Sequence, residues 1–233
     1  MRVRALLWAE KAQIGIRDGN TNSLASAWDD QNALLLFNPA VYYGLRITQM
    51  QNICRRLAIF LVMTLATSTF AADVDAKATF FINIYHSLCM KNINDFETLR
   101  AQLLKNHPTF PKEQAARFLS GMDGDAWPVT SSLGSFVISI PKGVKMCSVY
   151  ARRANRDDVE KKFLDLVSTA PQPLIAEKRT DEMKDTSNNG KTHTVGFVWG
   201  VASATRKLAF ILTTSSKDDA DIQAYATATV VND

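Results

Sequence analysis

The feature that most constrains this chain is a segment with the three parts of a secretory signal peptide. Residues 50–56 form a short stretch that ends in two arginines, residues 57–70 form an apolar run of 14 residues, and the small residues Ala71 and Ala72 follow. A basic, an apolar and a small-residue part in this order are typical of an export signal. We therefore expect residues 50–71 to be a signal peptide that is cleaved between Ala71 and Ala72.

The length of the apolar run favours a signal peptide over a membrane anchor. A transmembrane helix needs roughly 20 apolar residues, and this run is shorter and contains several threonines. The alternative is a membrane-anchored protein with residues 1–49 as its cytoplasmic tail, because the two arginines would keep the N-terminus inside. We favour the reading in which residues 1–49 are upstream sequence translated from a misplaced start codon and are disordered.

Removal of the signal changes the charge of the protein. The whole chain has a net charge of +4, but residues 1–71 hold seven basic and four acidic residues, so residues 72–233 keep 20 basic and 19 acidic residues. A protein that neutralises phosphates needs a larger basic surplus, so we expect no nucleic-acid partner. The 162 residues that remain are enough for one domain with its own core.

The cysteines are consistent with export. Cys54 leaves with the signal, so the mature chain holds Cys89 and Cys147. An even number of cysteines in an oxidising compartment favours a disulfide, although two unpaired buried thiols remain an alternative. We predict that Cys89 and Cys147 are bonded.

Hydrophobic spacing predicts an α+β fold. Helical spacing precedes strand-like alternation, with one further helix between two groups of strands. We expect N-terminal helices and one inserted helix to pack on one face of an antiparallel sheet, which is built from a hairpin and a C-terminal meander. The predicted elements are a helix near 75–90, a helix capped by Asn94, a helix from Pro111 to Gly121, a hairpin of 136–140 and 147–151, a helix capped by Asn155, and strands near 174–183, 191–203, 206–214 and 222–231.

Motifs for catalysis or metal binding have little support. Ser139 and Lys142 match the S-x-x-K spacing of serine β-lactamases, but the serine lies in a strand-like run rather than at the start of a helix. The three histidines are not spaced for a zinc site, and the cysteines are expected to bond each other. We therefore expect no catalytic residue, no cofactor and no metal, and we favour a protein that is not an enzyme.

Three aromatic residues are candidates for a binding surface. Trp127, Trp199 and Tyr225 lie in or beside strand-like segments, where an aromatic side chain packs in the core or presents a flat contact surface. Core packing is the ordinary explanation. A surface role would place the three side chains on an exposed face.

The export signal, the helix that carries Cys89 and the strand in 143–149 together resemble small uncharacterised exported proteins of Gram-negative bacteria. The resemblance implies a periplasmic or secreted location and supplies no activity. We expect a non-catalytic domain that acts by surface binding, as an inhibitor, an immunity-type protein or an envelope accessory protein, with an envelope protein as partner and no stable membrane span. The alternative is an envelope hydrolase or small-ligand enzyme whose site residues are dispersed in the sequence.

Overall fold

The computed structural model describes residues 68–232. The predictions for residues 1–49 and for residues 50–67 of the signal lie outside the described residues. The predicted cleavage site between Ala71 and Ala72 lies inside the first described helix, which begins at Ser68. In the described part of the chain, no helix is long and apolar enough to cross a membrane.

The described residues form an α+β fold with four helices and an antiparallel sheet. Helix α1 spans Ser68–Ile84 and continues as a π-helical turn over Tyr85–Met90. Helix α2 spans Phe96–Asn106, and the short helix α3 spans Lys112–Ala115 and continues as a 3₁₀ turn over Ala116–Phe118. Helix α4 spans Arg156–Val167.

Seven strands form one open sheet in the order β1-β2-β3-β7-β6-β5-β4. Every neighbouring pair in this order is antiparallel. The last strand of the C-terminal meander, β7, therefore pairs with β3 of the hairpin and joins the two groups of strands. The strands are β1 Gly124–Ser131, β2 Gly134–Pro141, β3 Met146–Ala151, β4 Ile175–Thr186, β5 Gly190–Gly200, β6 Arg206–Ser215 and β7 Ala224–Asn232.

One face of the sheet carries the main core, beneath α1 and α4. Alternate strand residues such as Val149, Phe210 and Leu212 meet Phe81 of α1 and Phe163 of α4 in one buried cluster. Strand β7 contributes small residues to this face, where Ala224, Ala226 and Ala228 are fully buried. Small side chains there let the π-helical turn approach closely, and Tyr85 donates a hydrogen bond of 2.9 Å to the carbonyl oxygen of Thr227.

The opposite face is covered only in part by the described helices. Ala115 of α3 and Phe118 of the 3₁₀ turn pack on Val137 of β2 and Tyr150 of β3 in a second, smaller cluster. These side chains point away from α1 and α4, because neighbouring strand residues alternate between faces. The prediction that the helices share one face is therefore not confirmed for α3.

A disulfide joins the π-helical turn to β3. Cys89 and Cys147 are bonded, and their Cα atoms are 5.3 Å apart, within the usual range for a disulfide. Both residues are fully buried. The predicted pairing of these two cysteines is present in the structure.

One local prediction needs correction. The cap of α2 is Asp95 rather than Asn94, because the Asp95 carboxylate accepts the backbone N–H of Thr98 at 3.0 Å. Glu97, in the first turn of this helix, accepts the backbone N–H of Gly143 at 2.8 Å. The predicted Asn155 cap of α4 is confirmed by the hydrogen bond from the Asp158 backbone N–H.

Candidate functional site

A depression in the described part of the chain lies on the face opposite α1 and α4. It has a volume of about 80 Å³ and lies where three segments meet above the sheet. These segments are the 3₁₀ turn after α3, the turn between β4 and β5, and the end of β6 with the loop that follows it. We call it the open-face cavity.

Hydroxyl and amide side chains dominate the floor and rim of the open-face cavity. Thr192 of β5 pairs with Ser215 of β6, and both line the cavity. Thr213 lines it two residues away, because alternate residues of a strand share a face. The turn between β4 and β5 contributes residues 186–189, which are all polar.

Most of these hydroxyl groups already donate hydrogen bonds within the protein. Thr192 donates to the carbonyl oxygen of Lys184 at 3.1 Å, and Ser215 donates to the carbonyl oxygen of Asn189. The hydroxyls of Thr194 and Thr213 contact each other at 2.9 Å. These bonds hold the wall in place, so the hydroxyls are not the main groups available to a ligand.

Two buried polar atoms of the cavity residues have no hydrogen-bond partner among the described residues. They are Nη1 of Arg117, a donor, and Oδ1 of Asn189, an acceptor. A buried polar group without a partner costs free energy, and the cost is larger for a charged group. The two atoms are therefore the strongest indication of a binding site in this fold.

The packing of Phe118 explains why Arg117 lies at the cavity. The Phe118 ring stacks on Phe110 with centroids 5.7 Å apart and meets Tyr150 edge-on at 5.2 Å. The Tyr150 hydroxyl donates to the carbonyl oxygen of Phe118 at 2.8 Å. These contacts anchor the 3₁₀ turn, and the residue before Phe118 then lines the cavity.

Two stacked tyrosines form an aromatic wall. The rings of Tyr150 and Tyr225 are 4.6 Å apart with an interplanar angle of 24°. Burial, followed by the neighbouring Tyr225, raises the pKa of Tyr150 well above its ordinary value near 10. The Tyr150 hydroxyl is therefore neutral and engaged, and it cannot act as a base at neutral pH.

A second polar cluster lies on the other face, between α4 and the edge strand β4. His193 places Nε2 at 2.8 Å from Asp181 Oδ1 and Nδ1 at 3.0 Å from Glu160 Oε2. The Nδ1 approach lacks the alignment of a hydrogen bond, so we treat it as a charge contact. Glu160 also accepts hydrogen bonds from Arg156 at 2.8 Å and from Thr214.

The charges of this cluster favour a protonated histidine. Burial lowers the pKa of His193, but the hydrogen bond to Asp181 and the charge contact with Glu160 outweigh it and raise that pKa. The bond from His193, followed by that from Lys178, lowers the pKa of Asp181 to about 2. Burial raises the pKa of Glu160, but its hydrogen bonds lower it overall. Because both ring nitrogens face carboxylates, His193 ties α4 to β4 and has no nitrogen available to a substrate.

The structure places the three aromatic candidates for a binding surface on two different faces of the sheet. Trp127 and Trp199 are about 1% and 9% exposed and lie in the main core, so their assignment to a binding surface is wrong. The Trp199 indole donates to the carbonyl oxygen of Val167 in α4 at 2.7 Å, which explains its burial. Tyr225 lies on the opposite face and borders the open-face cavity.

Sequence reasoning missed Arg117 and Asn189. Arg117 follows an alanine pair in a short helical segment, where an arginine is ordinary. Asn189 lies in a polar turn, where asparagine is common. Their proximity depends on the pairing of β5 with β6 and on the packing of the 3₁₀ turn. The sequence signal at this point is the run Ser187-Asn188-Asn189-Gly190, which indicates a turn but not a binding site.

Among residues 68–232, no group of three histidine, cysteine, aspartate or glutamate residues is placed to hold a metal ion. Comparison of the chain with protein-family models, with curated proteins and with solved structures finds no match in any of the three. The function is therefore argued from the site itself.

Proposed function

We propose that the protein is an exported, non-catalytic binding domain of the bacterial envelope, and that it acts through the open-face cavity. An inhibitor, an immunity-type protein and an envelope accessory protein all fit this description. The observation that carries the proposal is the chemistry of the cavity wall, which offers polar atoms for binding and no group for proton transfer.

The titratable residues that line the cavity support binding over catalysis. Among the described residues of the lining they are Arg117, Tyr150 and Tyr225, and none of those residues is a histidine, a cysteine, a lysine, an aspartate or a glutamate. Arginine stays charged in proteins, and Tyr150 stays protonated at neutral pH. General acid–base catalysis needs a group whose pKa lies near the working pH. A ligand can therefore be held here without being converted.

Export is supported by the disulfide and by the signal-like segment. Disulfides form and persist in oxidising compartments such as the periplasm, and the bonded pair is buried in the main core. We propose a periplasmic or secreted location after cleavage between Ala71 and Ala72, with residues 72–233 as the exported domain and an envelope protein or envelope ligand as the partner.

A pair of matched variants tests the role of the cavity. Ser187→Trp places a large side chain at the rim, in the turn between β4 and β5. Ser203→Trp makes the same change at an exposed position in the turn between β5 and β6, at the other end of the strands. We would add envelope extract of the source cells to the isotope-labelled full chain and follow its amide signals by NMR.

The expected result is a change in the signals of residues 186–191 and 213–217 that Ser187→Trp removes and Ser203→Trp retains. The bound compound should be recovered chemically unchanged. Signal changes that persist in Ser187→Trp would contradict the proposed site. Conversion of the compound would contradict the non-catalytic role and favour the enzyme alternative.

A further inference from the structure

We propose that the open-face cavity binds a small carboxylate that carries a hydrogen-bond donor next to the carboxylate group. This inference rests on the proposed function and names the class of ligand. An α-hydroxy acid, an N-acylated amino acid and the C-terminus of a polypeptide share this chemistry. Arg117 would hold the carboxylate, and Asn189 would accept from the neighbouring donor.

Arg117 selects for an anion. Its guanidinium group is always charged, and its Nη1 is buried without a partner among the described residues. The residues that line the cavity include no carboxylate that could neutralise it. A planar carboxylate matches the fork of the guanidinium group and would satisfy the orphaned donor.

Asn189 adds a second requirement, because its Oδ1 is an orphaned acceptor. An anion that offers only acceptor atoms would satisfy Arg117 and leave this oxygen unpaired. The backbone of Asn189 is held on both sides: its N–H donates to the Thr186 hydroxyl at 3.3 Å, and its carbonyl oxygen accepts from Ser215. The backbone that carries the orphaned oxygen is therefore held in place, and a ligand that satisfies this oxygen must bring an O–H or N–H group.

The size of the cavity limits the bound part of the ligand. A volume of about 80 Å³ exceeds what one water molecule needs but is well below the several hundred Å³ of a typical site for a drug-sized molecule. A group of a few non-hydrogen atoms fits, with the ring of Tyr225 as an apolar border. Any larger ligand would place only its carboxylate end inside the cavity.

The experiment uses the oxidised full chain, labelled with ¹⁵N, and three small probes. N-acetylglycine carries a carboxylate and an adjacent N–H, acetate carries only the carboxylate, and N-acetylglycinamide carries the N–H without the charge. Dissociation constants come from the amide shifts of residues 186–191 and the Nε–H signal of Arg117. We expect N-acetylglycine to bind at least about tenfold more tightly than N-acetylglycinamide, since a charge-assisted hydrogen bond is worth about a factor of ten or more. It should bind about fivefold more tightly than acetate, which lacks only the neutral donor for Asn189.

Variants test the contributions of Arg117 and Asn189 to binding. Arg117→Gln should weaken N-acetylglycine by at least about tenfold, whereas Arg206→Gln, which removes the same charge at an exposed site on β6, should leave binding unchanged. Asn189→Asp should also weaken it, because the new carboxylate repels the carboxylate of the ligand and can pair with Arg117 in its place. This nearly isosteric change keeps the test valid if Arg117→Gln fails to fold. Glycolate, a fourth probe, is a hydroxy acid and is compared with N-acetylglycine, which resembles a polypeptide C-terminus.

Equal binding of N-acetylglycinamide at the cavity would overturn the carboxylate inference and leave the proposed binding role intact. Binding that neither Arg117→Gln nor Asn189→Asp weakens would also overturn it. If no probe changes the cavity signals, the inference is wrong, and the Ser187→Trp and Ser203→Trp comparison decides the proposed function separately. Tighter binding of glycolate than of N-acetylglycine would support a free hydroxy acid as the source, and the reverse order would support a polypeptide C-terminus.

Discussion

Removal of the Cys89–Cys147 bond should destabilise the domain strongly. The bond closes a loop with a sequence separation of 58 residues. In the chain-entropy treatment of cross-links, a loop of this length stabilises the folded state by about 4 kcal/mol. For a domain of 150–250 residues, 1 kcal/mol corresponds to about 2–4 °C, so the unfolding midpoint should fall by about 8–16 °C.

Two perturbations separate the covalent bond from the packing of its atoms. Unfolding and refolding the protein in reductant breaks the bond but keeps both sulfur atoms in the core. The double variant Cys89→Ala, Cys147→Ala also removes the sulfur atoms, which are fully buried, and should lose more stability through the small cavities left behind. Thermal unfolding followed by far-UV circular dichroism measures both midpoints.

Cys54→Ser is the matched control, because it removes a thiol outside the bonded pair. Its midpoint should equal that of the unaltered protein, and its unreduced, denatured form should contain no free thiol. Two free thiols in that variant would refute the bond. A reduced midpoint within about 3 °C of the oxidised one would refute the loop-entropy reasoning, since the expected shift is several times larger.

Three other predictions follow from the chain and its charges. The exported protein should have the intact mass of residues 72–233, and recovery of peptides from residues 1–71 on the periplasmic form would contradict cleavage at Ala71. Deletion of residues 1–71 should leave the thermal transition unchanged within about 2 °C, and a loss of several degrees, above about 1 kcal/mol, would place those residues in the fold. The raised pKa of His193 means that its stabilisation is fully present below its ordinary value of 6.5 and is lost as the pH rises through the raised pKa. His193→Gln should therefore reduce the urea midpoint more at pH 6 than at pH 9, and an equal or larger reduction at pH 9 would contradict the ion-pair reasoning.

Elements with a strong local pattern were predicted well from the sequence. The predicted strands near 174–183, 191–203, 206–214 and 222–231 lie within a few residues of β4 to β7. Strand-forming residue types between polar turns are enough to place these strands. Burial follows from the position in the sheet instead, since β4 is an edge strand and most of its residues are exposed.

Strand β1 was missed because Pro128 interrupts its pattern. A proline cannot donate to the sheet and argues against a central strand, but it is tolerated at an edge. β1 is the other edge strand, paired only with β2. The local sequence pattern also could not predict that β7 lies between β3 and β6. This strand order depends on contacts between segments that are far apart in the sequence.

The charge cluster of His193 shows the same limit for side chains. Neither Glu160 nor Asp181 lies at a helical spacing from the histidine, so the sequence offered no pairing signal. The pairing of β4 with β5 places His193 opposite Met183, two residues from Asp181 on the same face, and the packing of α4 brings Glu160 to the other nitrogen. The pairing of β4 with β5 and the packing of α4 therefore decide which carboxylates contact His193.

The position of the open-face cavity follows from how the second face of the sheet is covered. The segment from α3 to Phe118 packs over β1–β3, and in the described part of the chain no helix packs over the same face of β4–β6. The covered part has apolar side chains such as Val137, and the part beyond it has hydroxyl side chains such as Thr213. The open-face cavity forms at the border between the covered and the uncovered part, and Arg117 lies at the edge of the covering segment. A ligand bound there would contact only the second face and would leave the disulfide-linked core unchanged. Variants at Arg117 should therefore alter ligand affinity separately from stability.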